Sequence, residues 1–219
     1  MDQTMKKATI LFDLDGTLID STEAILDGFY YTFERFGQNP PPKEKILALI
    51  GHPLDFMFAH LGIKKNIEKY VQTYKERYRV ISKQKTTLLP RAKEAVEVAA
   101  QFATLGIVTT KTGLYSKELM EYFGLMRYFG CLIGREDVIN PKPYPEPIFK
   151  AMHKLQAHPE HTWMVGDTCL DIEAANASGI SSVAVTCGYA KPMQLHRCAR
   201  HVASDAYKAV AVIRHKELE

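Results

Sequence analysis

The chain has no run of lysine and arginine longer than a pair, and with 28 Lys+Arg against 25 Asp+Glu its formal charge is only +3. A basic stripe interleaved with aromatics is therefore missing, which excludes nucleic acid as the expected partner. Long apolar runs are missing too, so no segment is expected to span a bilayer. The polar stretch Met1–Lys7 lacks the apolar core of a secretory leader, and the expected address is cytoplasmic. Cysteine is scarce: Cys131, Cys169, Cys187 and Cys198 show no CxxC spacing. A chain of 219 residues with 46% hydrophobic content can build a core without covalent staples, so free thiols are expected. Cys187, His196, Cys198 and His201 match no common zinc-ligand spacing.

What is present is periodic. Ala8–Phe12 is a short β-branched and aromatic run, the pattern of a buried strand. Helical periodicity follows over Ser21–Phe36, ended by Gly37; after Pro40-Pro41-Pro42 it resumes over Lys43–Ile50, Leu54–Leu61 and Asn66–Ile81. From about residue 88 the pattern alternates. Helices are expected over Ala92–Ala103, Ser116–Phe123, Glu146–Gln156 and Cys169–Ser178, and strands over Gly106–Thr110, Gly130–Ile133, Thr162–Val165 and Ser182–Thr186. Strands and helices in alternation imply a parallel sheet covered on both faces. The expected fold is thus α/β, a Rossmann-like core of residues 1–19 and 88–219 interrupted after its first strand by an all-helical segment, 20–87.

Ligands in such sheets gather beyond the carboxyl ends of the strands, and the chemistry-bearing residues of this chain cluster there. Asp13-Leu14-Asp15-Gly16-Thr17 ends the first strand. Side chains two apart in a strand share a face, so Asp13 and Asp15 emerge together while Leu14 turns back into the protein. Two adjacent acids repel, so the pair calls for a hard cation or for one carboxylate with a raised pKa. A calcium loop fits poorly, because its glycine belongs at the sixth position and its Glu at the twelfth, where Gly16 is fourth and Ala24 is twelfth. Other strand ends supply Thr109 and the pair Asp167 and Asp171, which share one face of a helix start. Lys142 stands between Pro141 and Pro143, which restrict the backbone that aims it.

In this order, Asp13-Leu14-Asp15-Gly16-Thr17, Thr109, Lys142 and Gly166-Asp167-Thr168-x-x-Asp171, the chain resembles the haloacid dehalogenase superfamily over essentially its whole length, most nearly the phosphoglycolate phosphatase branch. The resemblance implies that 20–87 is a small helical cap and that the chain is a Mg2+-dependent phosphatase. It further implies Asp13 as nucleophile, forming an aspartyl phosphate, and Asp15 as acid and then base. Mg2+ would lie on Asp13, the Asp15 carbonyl and Asp167, with Asp171 completing the site; Lys142 would neutralise charge, and Thr109 with the Thr110 amide would bind the phosphoryl group. A dehalogenase would need neither Asp15 nor Asp167, and a phosphonatase would need a reactive cap lysine; a phosphomutase and a non-catalytic phosphate-binding scaffold remain as alternatives.

Two positions depart from the branch. Thr110 replaces its usual Asn, and Arg91 follows Pro90 where Gly is common; the Arg91 side chain is expected in solvent rather than in the mouth of the site. Segment 20–87 carries the whole net charge of +3. Its loop Ile50-Gly51-His52-Pro53-Leu54 is the best candidate to meet a leaving group, with Gly51 allowing close approach and His52 donating to an anion. The expected substrate is a small phosphorylated metabolite with a second polar or anionic group, phosphoglycolate foremost, with sugar phosphates and nucleotides as rivals.

Overall fold

The computed structural model describes residues 8–218, so the reading of Met1–Lys7 falls outside it. In chain order the elements are β1 (Ala8–Phe12), β2 (Ile19–Asp20), α1 (Thr22–Arg35), α2 (Lys43–Leu47), α3 (Leu54–His60), α4 (Ile67–Ile81) and β3 (Thr87–Leu88). There follow α5 (Ala92–Phe102), β4 (Ala103–Val108), α6 (Gly113–Tyr122), β5 (Phe129–Ile133), α7 (Glu146–Leu155), β6 (Thr162–Gly166), α8 (Cys169–Ala177), β7 (Ser181–Val185), α9 (Pro192–Cys198), β8 (Val202–Ala203) and α10 (Ala206–Leu218). Six strands form one sheet in the order β5-β4-β1-β6-β7-β8, and every pairing in it is parallel. This is the α/β architecture expected from the alternating pattern.

Every residue of β1 is buried, because a strand with parallel neighbours on both sides is also covered on both faces. Alternation then sorts its side chains. Ile10 and Phe12 join Ala95, Ala99, Val210 and Ile213 of α5 and α10, whereas Leu11 joins Ile148, Met152 and Ala175 of α7 and α8. The chain builds β4 and β5 on one side of β1 and β6, β7 and β8 on the other, so β1 lies at the topological switch point.

Helices α1 to α4 pack around a separate apolar cluster that includes Phe29, Phe33, Phe58, Tyr70 and Tyr74. The Phe29 ring lies 4.8 Å from that of Phe58 and 5.0 Å from that of Tyr74, centroid to centroid. The chain leaves and rejoins the sheet domain through the antiparallel pair β2–β3, Ile19 opposite Leu88 and Asp20 opposite Thr87.

Three expectations need correcting. Strand β4 begins at Ala103 directly after α5 and ends at Val108, which leaves Thr109 just beyond it. Beyond β7, the helices α9 and α10 and the edge strand β8 went unassigned, because their short periodic stretches are broken by polar residues. The expectation of four free thiols also fails. Cys169, at the start of α8, and Cys198, at the end of α9, are joined in a disulfide with Cα atoms 5.9 Å apart; Cys131 and Cys187 are free. The two cysteines are 29 residues apart in sequence, and only the packing of α9 against α8 around Leu195, Ile172 and Ala184 brings them together.

Candidate active site

The carboxyl ends of β1, β4 and β6 converge at the switch point. The backbone N–H of Asp13 donates to the Val165 carbonyl at 2.9 Å, extending the β1–β6 ladder one residue past β1. Leu14 is fully buried, as its position in the pair required. Asp13 and Asp15 do not share a cation. Asp13 Oδ1 is 3.0 Å from Lys142 Nζ, whereas the two Asp15 oxygens are 3.0 and 2.9 Å from Lys111 Nζ.

Asp13 belongs to a buried cluster with Asp167 and Asp171, in which one oxygen from each lies within 4.8 Å of the others. Lys142 Nζ enters the cluster, donating to Asp171, to Asp13 and, at 3.0 Å, to the Val108 carbonyl. Asp171 also caps its own helix: its Oδ2 accepts from the Thr168 N–H at 3.1 Å and the Thr168 hydroxyl at 2.8 Å. Asp167 Oδ2 accepts from the Tyr189 N–H at 2.7 Å, and Thr17 Oγ1 donates to its Oδ1 at 3.4 Å. Glycines make the room. A Cβ on Gly16 or Gly188 would fall 2.3 or 2.1 Å from Asp167 Oδ2, and one on Gly166 would fall 2.2 Å from Asp171 Cγ.

The electrostatics of this cluster fit a hard cation. Burial, against the opposing pull of Lys142 and with the added repulsion of Asp171 and Asp15, raises the Asp13 pKa to about 7. Burial and then Asp13 push Asp167 well above the carboxylate range. Burial opposes the Lys142 charge, but Asp13 and Asp171 overcome it and hold the ammonium above its ordinary value. One lysine thus faces three enclosed carboxylates whose donor atoms are all oxygen, the set a hard divalent ion takes.

Asp15 faces elsewhere. Ser21 donates to Asp15 Oδ1, and Lys111 spans from the carboxylate to the Tyr78 ring of α4, its Nζ 4.4 Å from the centroid. Both Asp15 and Lys111 line a cavity of about 380 Å³ between the sheet domain and the helical block, walled by Ile50, Val71, Tyr74, Tyr78 and Tyr115 among others. Asp13, Asp167, Asp171 and Lys142 do not line it. Thr109 is buried at the end of β4, its Oγ1 accepting from the Lys111 N–H at 3.2 Å.

The structure brings Asp13, Lys142, Asp167 and Asp171 together, with Asp15 and Thr109 beside them. The Thr110 hydroxyl donates to the Gly51 carbonyl at 2.8 Å, tying the β4 loop to the helical block. Gly51 has φ +105, and a Cβ there would sit 3.1 Å from Thr168 Cγ2, so the loop packs closely on the start of α8. His52 does line the cavity, stacked on Phe56 at 4.2 Å. Burial and then His60 lower its pKa, which disfavours the cationic donor expected of it. Arg91 has φ 62, the left-handed backbone that explains why Gly suits this position. Its guanidinium lies over Tyr207 of α10, 3.4 Å from the ring centroid, and bonds Glu94 at 2.9 Å, away from the mouth of the site.

Sequence reasoning missed Lys111, Ser21, Thr17 and Tyr189. Lys111 had a usable signal: it stands two residues past Thr109 in the same strand-end loop, the spacing that linked Asp13 to Asp15. Tyr189 offered none, since it touches Asp167 through its backbone.

A family model described as haloacid dehalogenase-like hydrolase matches residues 10–185. The pyrophosphatase PpaX of Oceanobacillus iheyensis is 36% identical over 182 residues, covering 83% of this chain and 84% of its own. Among solved structures, a haloacid dehalogenase-like family hydrolase from Streptococcus pneumoniae superposes with a TM-score of 0.85 at 28% identity, covering 94% of this chain and 98% of that one. A predicted phosphoglycolate phosphatase from Haemophilus somnus superposes with a TM-score of 0.82 over 96% and 99% of the two chains; at 22% identity it speaks to the fold alone.

Proposed function

The chain belongs to the haloacid dehalogenase-like hydrolases and is a phosphatase of that family, and on that footing we propose a Mg2+-dependent phosphomonoester hydrolase working through an aspartyl phosphate. Residues 20–87 are its cap domain, and 1–19 with 88–219 its catalytic core. The observation that carries this reading is the separate pairing of two neighbouring carboxylates. Asp13 lies in an enclosed acid cluster with Lys142, and Asp15 lies on the wall of a cavity with Lys111.

In this assignment Asp13 Oδ attacks phosphorus in line and carries the phosphoryl group. Asp15 protonates the departing oxygen, then takes a proton from the water that hydrolyses the aspartyl phosphate. Lys142 neutralises charge on Asp13 and on the phosphoryl oxygens, and Thr109 donates its hydroxyl to one of them. Held by Asp13, Asp167 and the Asp15 carbonyl, with Asp171 alongside, Mg2+ would supply the positive charge that lets a phosphate dianion approach carboxylates. Apolar side chains on the cavity wall, Ile25, Ile50, Met57 and Val71 among them, would reduce water on the leaving-group side. The substrate is a small phosphorylated metabolite, phosphoglycolate foremost. A second reading, pyrophosphate, is favoured by the name of the 36%-identical relative. A cytoplasmic location belongs to the same proposal.

Release of phosphate from p-nitrophenyl phosphate tests the reading directly. Turnover is expected with Mg2+ and none after exhaustive chelation, with recovery on adding Mg2+ back. Undiminished turnover in chelator would refute the metal assignment, and no turnover under either condition would refute the enzyme.

A further inference from the structure

The cavity beside Asp15 contains one cation already committed to the proposed acid. Lys111 Nζ lies within 3.0 Å of both Asp15 oxygens, the pair is almost enclosed, with side chains 9% and 14% exposed, and Tyr78 covers the ammonium from the helical block. Asp15 Oδ1 is further engaged by Ser21. A carboxylate held this way is well ordered but turned toward its lysine. To act on a departing oxygen it must offer one of these atoms to the substrate instead.

Asp15 and Lys111 are neighbours on the wall of that cavity, and with Asp15 as the proposed acid the leaving oxygen lies on this side of the site. Arg135 and Lys75 are further cations on the wall; Arg135 already has Asp55 at 3.9 Å, burial disfavours the cationic form of the helical block's His52, and of these cations Lys111 is the one paired with Asp15. Lysine suits an exchange of partners. Its ammonium carries three donors on a four-carbon stem and can pass from one anion to another through a small rotation. In an enclosed, partly apolar site the gain from meeting a second anion exceeds that at the surface.

Resting on the phosphatase reading above, we infer that Lys111 is a specificity-determining residue that binds a second anionic group on the leaving side of the substrate, a carboxylate or second phosphoryl group, and in doing so releases Asp15 to face the leaving oxygen. Substrates are thereby selected twice. An anionic tail gains a charged hydrogen bond, and it also draws away the lysine that occupies the acid. A neutral tail does neither.

The test compares phosphoglycolate with ethyl phosphate, which replaces the carboxylate by a methyl group, on wild-type protein and on Lys111→Met and Lys111→Arg. In the wild type kcat/KM should favour phosphoglycolate. Lys111→Met should reduce that preference by about 30-fold or more, through KM because the tail loses its partner and through kcat because Asp15 is then free of the lysine with either substrate. Lys111→Arg, which keeps the charge, should restore most of the preference. An equal loss on both substrates in Lys111→Met would assign Lys111 a purely structural role and overturn the inference. So would an unchanged preference. A wild type that hydrolyses neither these esters nor p-nitrophenyl phosphate would remove the phosphatase reading and the inference together, which separates the two failures.

Discussion

The two sides of the site handle charge in opposite ways. On the core side, Asp13, Asp167, Asp171 and Lys142 are all under 5% exposed, framed by glycines that leave no room for a Cβ, and short of positive charge. On the helical side, Asp15 and Lys111 form a matched pair under a tyrosine ring, in a cavity whose walls are largely apolar. A surplus of buried negative charge is unstable without a cation, so the first side is built to be completed. The second is complete already and can be re-paired. In the proposed mechanism the nucleophile and the acid are thus two carboxylates, separated by a single residue, that meet different cations.

The largest effect should come from breaking the division at its centre. Asp13→Asn is expected to abolish turnover of p-nitrophenyl phosphate, a loss of roughly 10³-fold or more. Asp15→Asn should still accept the phosphoryl group from this good leaving group and stall afterwards, so intact-mass measurement should find the phosphorylated protein. Near-normal turnover by Asp13→Asn would show that the two carboxylates do not divide the labour as proposed.

The next effect concerns the unequal charge balance. Burial first, then repulsion from Asp171 and Asp15, raises the Asp13 pKa from 3.8 to about 7 in the metal-free fold. Between about pH 4 and 7 the folded state therefore holds a proton that the unfolded chain has lost, and stability falls as pH rises through this window. A divalent ion that replaces the proton should oppose the fall. Thermal melts should show Mg2+ raising Tm by several degrees at pH 8 and by much less at pH 5. An equal shift at both pH values would place Mg2+ binding away from the acid cluster.

The smallest effect is expected on the wall. His52→Ala removes a ring stacked on Phe56, and at neutral pH that ring carries little charge. Its loss should lower kcat/KM for phosphoglycolate by about tenfold at most, roughly one hydrogen bond, and leave p-nitrophenyl phosphate less affected. A loss larger than that of Lys111→Met would move the anion-binding role from the core loop to the helical block.

Much of the site was legible because strand ends are legible. Ala8–Phe12 and Thr162–Val165 are apolar runs that stop at acids, and the strand-end rule collects Asp13, Thr109, Asp167 and Asp171 at one edge before any coordinate is known. Lys142 was legible through its flanking prolines. By contrast, the Cys169–Cys198 bond and the contact of Thr110 with Gly51 join segments with no shared periodicity. Residues that serve through the backbone, such as Tyr189 toward Asp167, carry no side-chain signature at all.

The sequence by itself determined the alternation of strands and helices, the helical interruption after the first strand and the identity of the acids at the sheet edge. These follow from local periodicity and turn chemistry, which each short segment carries independently of the rest. Only the tertiary structure decided which charge meets which. Lys111 follows β4 and Lys142 follows β5, on the same side of β1, yet the first is turned to Asp15 and the second to Asp13 and to Asp171 of α8. The pairing of charges depends on distances of a few ångströms across separate elements, and those distances exist only once the sheet is assembled.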